Sequence, residues 1–149
     1  PDEIVYFNFI VGGLPGARER WPGEASDYWG SSYRRGMKWL NENAEPGAVV
    51  AVPVGGHMVY ATRKLWLRDD LLFLGFYIER LHLKELAWLY ELAGRPPGPV
   101  YFMYVTRRDF YTGVVRILEE KYKPVHAIAV DGAPVLKIFR LEAFEKLAE

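Results

Sequence analysis

The chain has no cysteine and no glutamine, and its 149 residues include only three serines, three threonines, three asparagines and three methionines. Without cysteine there is no disulfide, no thiolate metal site and no cysteine nucleophile, and the redox state of the compartment leaves no mark. A shortage of thermolabile side chains beside a charged fraction of 26% points to a thermophilic source. No charge of either sign is in excess, because nineteen basic and nineteen acidic side chains cancel. The clustered cationic surplus of a nucleic-acid binder is therefore missing. No apolar run approaches the roughly 18 residues that a membrane span needs, and the acidic start at Asp2 and Glu3 does not read as a leader. Position 1 is Pro and not Met, as expected of a processed chain or of a piece cut from a longer protein, with any membrane attachment outside it.

What is present is an ordinary globular balance, 50% apolar and 15% aromatic. A chain of this size fits one domain over residues 1–149 and buries roughly 68–70% of the surface its unfolded form exposes. Ile4 to Val11 is a short apolar and aromatic run, either a strand or an extended lead-in. Leu14 to Gly30 turns to Gly, Pro and charge, the signature of an ordered loop. Tyr33, Gly36, Met37 and Leu40 then form an amphipathic helical stripe that Ser31 or Ser32 can cap and that stops near Asn43. Ala48 to Val54 and Leu71 to Phe76 read as strands buried on both faces, with a helix over His57 to Leu67 between them. The Leu83, Leu86, Ala87 and Tyr90 face predicts a further helix, ended by Gly94 and Pro96-Pro97-Gly98-Pro99.

Val100 to Val105 predicts another central strand, and Val114, Val115, Leu118 and Tyr122 another helix. Asp131-Gly132 between the apolar runs Val125 to Val130 and Val135 to Leu141 is a strong hairpin signal. A short helix over Glu142 to Leu147 is expected at the end. The alternation predicts an α/β three-layer sandwich: a mixed, mainly parallel sheet with helices on both faces and a C-terminal antiparallel hairpin.

Few groups carry recognisable chemistry. Gly55-Gly56-His57 sits where a strand meets a helix and could offer amides to a phosphate, but it matches no phosphate-loop motif and equally reads as a tight turn. His57, His82 and His126 have no metal-ligand spacing. Ser26, Ser31 and Ser32 lie in no nucleophile elbow. The pairs Asp69-Asp70 and Glu119-Glu120 read as solvated. Arg107 and Arg108, with Tyr104 and Tyr111 nearby, follow the carboxyl end of a central strand, where α/β sheets bind ligands; capping and packing explain them otherwise.

The segments "YFNFIVGGLPGA" and "DYWGSSYRRGMKWLNENAEPGAVV" form a more specific pattern over about the first third of the chain. They resemble the stretch that follows the last transmembrane helix in multi-pass polyprenyl-phosphate-sugar-dependent glycosyltransferases of the dolichyl-phosphate-mannose-protein mannosyltransferase-like group. The resemblance implies a soluble C-terminal domain on the extracytoplasmic face of the membrane, with residues 1–30 as the lead-in from the transmembrane portion of the same polypeptide. The catalytic aspartate of such enzymes lies in an early extracytoplasmic loop, outside this sequence. No catalytic residue and no cofactor are therefore expected here, and the isolated domain is expected to be inactive and monomeric, its partners being the membrane portion and a polyprenyl-linked sugar or acceptor.

Asp27, Tyr28, Trp29 and Tyr33 are the residues expected to touch something. Aromatic rings beside a carboxylate can stack on sugar faces or anchor the domain, although aromatics at a helix start also serve as a hydrophobic staple. Two other functions stay open: an independent small-molecule or nucleotide-binding module using Gly55, Gly56, His57, Arg107 and Arg108, and an interaction scaffold presenting Trp21, Trp29 and Trp66.

Overall fold

The computed structural model describes residues 9–21, 25–27, 29–75 and 99–142. After a 3-10 turn at Phe9–Val11, its elements in chain order are α1 (Gly13–Arg20), α2 (Ser32–Asn43), β1 (Val49–Ala51), α3 (Gly56–Trp66), β2 (Leu72–Leu74), β3 (Val100–Val105), a 3-10 turn at Arg108–Phe110, α4 (Gly113–Lys121), β4 (His126–Val130) and β5 (Ala133–Leu141). The five strands form one sheet in the order β2-β1-β3-β5-β4. β1 pairs in parallel with β2 and β3, while β5 lies antiparallel between β3 and β4, so four of the five strands run the same way.

The all-apolar VYFMYV run of β3 becomes the centre of the sheet because it has no polar face to give to water, and all six residues are buried. Strand alternation sends Tyr101 and Met103 to one side and Phe102 and Tyr104 to the other. On the first side α2 packs so closely that a Cβ at Gly36 would meet Met103 and Leu136. On the second side α4 sets Glu119 against Tyr104 and Lys137, and Tyr104 stacks on Phe139 at 5.7 Å. Helices thus cover both faces of a mixed sheet, which is the expected three-layer α/β sandwich. The α2 stripe is buried as its spacing requires. Asp131 and Gly132 both take positive φ (51° and 79°), the geometry that joins β4 to β5 through a two-residue turn.

The expected loop over Leu14 to Gly30 is a correction, because Gly13–Arg20 is helical. Pro15 and Gly16 read as breakers, yet Pro in a first turn loses no helical hydrogen bond. Gly16 is there because a Cβ would run into the Val11 carbonyl. β1 and β2 are shorter than their apolar runs, three residues each. Phe9–Val11 is a 3-10 turn and not a strand. The helix expected over Leu83 to Tyr90, and that over Glu142 to Leu147 beyond Glu142, lie outside the described residues, as do His82 and residues 4–8.

The ends of α2 are tied by polar groups of distant segments. Arg68 donates to the Asn41 carbonyl at 2.7 Å and the Ala44 carbonyl at 3.1 Å, satisfying the helix C-terminus, and pairs with Asp70 at 2.7 Å. Asn41 donates to the Trp66 carbonyl and accepts the Arg68 amide. These bonds fasten α2 to the end of α3.

Candidate functional site

The α2 and α3 side of the sheet carries a groove of about 520 Å³ lined by Trp29, Gly30, Ser31, Tyr33, Arg34, Met58, Thr62 and Trp66. Its two indoles are accessible, Trp29 at 69% and Trp66 at 37%. The Arg34 guanidinium lies 5.2 Å from the Trp66 ring centre, a cation–π contact that steadies one wall.

The segment before Trp29 is anchored at Asp27, which is wholly buried and fully used. One carboxylate oxygen accepts the Ser31 amide at 2.9 Å and the Ser31 hydroxyl at 3.0 Å, and the other accepts the Ser32 amide at 2.6 Å. Asp27 therefore caps α2, the role expected of Ser31 or Ser32, and its oxygens face the helix and not the groove. Tyr28 lies outside the described residues.

Tyr33 is 2% exposed. Its hydroxyl donates to the Val54 carbonyl and accepts the Val105 amide at 3.3 Å. The chain leaves β1 toward β2 and leaves β3 toward β4, on opposite sides, so the gap between their carboxyl ends is where such sheets usually open a ligand crevice. The Tyr33 phenol fills that gap.

This occupation bears on Gly55, Gly56 and His57. Gly55 takes φ +63°, and a Cβ there would strike Met58. Gly56 lies against the Gly75 carbonyl too closely for any side chain. Both glycines answer to close packing, and His57 is exposed. Neither the Trp29–Trp66 groove nor the cleft at the carboxyl end of β3 includes them. Arg107 rests on the Phe110 ring at 4.3 Å.

Arg108 instead lines a second cleft, of about 640 Å³, on the α4 side at the carboxyl end of β3. Arg18, Glu19, Thr106, Tyr111, Arg116, Glu119, Pro134 and Lys137 complete its wall. Arg18 donates from Nε to the Ala25 carbonyl at 3.0 Å and from its terminal nitrogen to the Thr106 hydroxyl, which in turn donates to the Pro134 carbonyl at 2.6 Å. Burial holds the Arg18 guanidinium below its ordinary pKa; the Tyr111 phenol opposes this and the Arg108 charge adds to it. Glu119 pairs with Lys137 at 2.5 Å and accepts the phenols of Tyr104 at 3.1 Å and Tyr111 at 3.4 Å. Burial first, then the charge of Glu119, pushes both phenols well above the usual tyrosine range.

Glu119 is thus no solvated carboxylate, and Asp70 is likewise engaged, by Arg68 and by the Gly47 amide at 3.0 Å. Among the described residues no group of three His, Asp or Glu side chains could hold a metal ion, and no helix is long and apolar enough to cross a membrane. His126 stacks on Trp39 at 4.8 Å. Sequence reasoning missed Arg18, Thr106 and Arg116. Arg116 had a local signal, eight residues after Arg108, whereas Arg18 reaches Thr106 across 88 positions and had none. No family model, no curated protein and no solved structure matches the chain.

Proposed function

We propose that the chain is the non-catalytic extracytoplasmic domain of a membrane glycosyltransferase that draws sugar from a polyprenyl-phosphate donor. The groove between Trp29 and Trp66 serves docking on the membrane portion or selection of the acceptor. The reading begins from the resemblance of the DYWG segment and its surroundings. The observation that carries it further is the exposure of Trp29 on a loop pinned by Asp27, facing Trp66 across a groove. An indole held out of the core next to an anchored residue loses less conformational entropy when a partner covers it than one on an unanchored segment. Stacking surfaces of this kind suit a sugar face or an apolar loop.

The test uses the full-length protein. Its coding sequence upstream of Pro1 is expected to encode a series of hydrophobic spans, and a soluble open reading frame there would end this reading. Trp29→Ala and Trp66→Ala, each in the full-length enzyme, are expected to lower transfer by roughly tenfold, the scale of a buried aromatic contact. Thermal unfolding of the isolated domain should be little changed. A rise in acceptor KM alone marks acceptor selection, and a fall in kcat at constant KM marks docking. Full activity in both variants would remove the groove from the proposal.

A further inference from the structure

We infer that the cleft at the carboxyl end of β3 binds a phosphate-bearing anion between the guanidinium groups of Arg18, Arg108 and Arg116. The cleft lies on the α4 side of the sheet, away from the Trp29–Trp66 groove, and the inference is independent of the function proposed for that groove.

The charges around the cleft do not close among themselves. Its wall holds four cationic and two acidic side chains. Glu119 is engaged by Lys137 and two phenols, which leaves Glu19 as the other carboxylate in a wall that holds three guanidinium groups. Among the described residues the ion pairs are Arg68–Asp70, Lys137–Glu119, Arg140–Glu45 and Arg140–Glu142, and none of them uses Arg18, Arg108 or Arg116. Arg34 and Arg63, which also lack a carboxylate among the described residues, rest on the aromatic rings of Trp66 and Tyr60. Arg18, Arg108 and Arg116 line one cleft with, among the described residues, neither a carboxylate partner nor an aromatic ring beneath them, which leaves a place for an anion from outside.

The site is also built in advance. Arg18 is only partly exposed and sits one residue after the wholly buried Ala17. Its head is fixed at two points, the Ala25 carbonyl and the Thr106 hydroxyl. Thr106 is itself tied to Pro134, so these bonds hold the guanidinium at the cleft wall. Holding a cation partly buried and unpaired opposes folding, and an anion in the cleft would reverse that cost. Guanidinium forks match the spacing of phosphate oxygens and bind them bidentately. The net excess of two positive charges around the wall suits a dianion. The cleft, about 640 Å³, has room beyond a bare ion, so a phosphate monoester with its remainder along the cleft is the ligand class proposed.

The test titrates the 149-residue chain with inorganic phosphate and with glucose 1-phosphate by calorimetry and by amide NMR shifts. A separate arm measures co-sedimentation with phosphatidylcholine vesicles with and without phosphatidic acid. The variant is Arg108→Ala/Arg116→Ala. Both side chains are exposed, so its thermal unfolding midpoint should stay close to that of the parent chain.

Saturable binding of a soluble phosphate, with amide shifts at Thr106, Arg108 and Arg116 and about a tenfold to hundredfold weaker affinity in the variant, supports the site with a soluble ligand. Binding only to phosphatidic acid vesicles, lost in the variant, supports it with a lipid headgroup as the source. Absence of binding in every arm overturns the inference, and so does binding that the variant leaves unchanged.

Discussion

Asp27 shows how little a single residue's type says about its task. A carboxylate between aromatics suggests a ligand contact, yet its three bonds to Ser31 and Ser32 hold the head of α2. Asp27→Ala is expected to cost about 1–2 kcal/mol, the upper range for a lost helix cap. Thermal unfolding should show a midpoint lower by several degrees, with Asp27→Asn losing less. His126 makes a second prediction at this scale. Burial, and after it the charge of Arg35, lowers its folded pKa below the usual 6.5. Above that value the ring is neutral in both states and its contribution to stability is complete. As pH falls through it the unfolded chain takes up the proton first, and stability is lost. Urea unfolding between about pH 7 and pH 5 should therefore show falling stability, with a shallower dependence in His126→Phe, which keeps the ring on Trp39. An equal slope in that variant would assign the pH dependence to other groups.

At the scale of elements, helices were legible where apolar spacing was regular, even where the capping residue was misread. The α2 stripe, Tyr33 through Leu40, is an instance. Reading failed at α1, where Pro15 and Gly16 speak for a turn; only the neighbouring Val11 backbone explains why glycine is needed. Glycines separate the same way in energy. At Gly56 the Gly75 carbonyl leaves no room for a Cβ, so Gly56→Ala is expected to destabilise by about 3 kcal/mol or more, since backbone cannot yield as a side chain can. Gly113 opens α4 with nothing nearby, and Gly113→Ala is expected to add up to about 1 kcal/mol by restricting the unfolded chain. Chemical denaturation of the two variants checks both signs. Strand lengths were overread at β1 and β2 because an apolar run marks burial, and burial continues through Val52 and Val54 after the ladder has ended.

At the scale of the whole molecule, the described residues of the sheet and its two covering layers form a concavity on each face and fill the gap between β1 and β3 with Tyr33. That single phenol occupies the space beside the Gly55-Gly56-His57 turn, while Arg108 lines the cleft on the other face with Arg18 and Arg116. The sequence by itself determined the α/β class, the central position of the Val100–Val105 strand and the Asp131-Gly132 hairpin. These follow from apolar period and turn dihedrals, which are local properties of a few adjacent residues. Strand order, the insertion of β5 between β3 and β4, and both concavities were decided only by tertiary structure. Pairing partners and cleft walls are chosen by packing between residues far apart in the chain, as Arg18 and Thr106 are, and no local pattern encodes which of several apolar faces will meet.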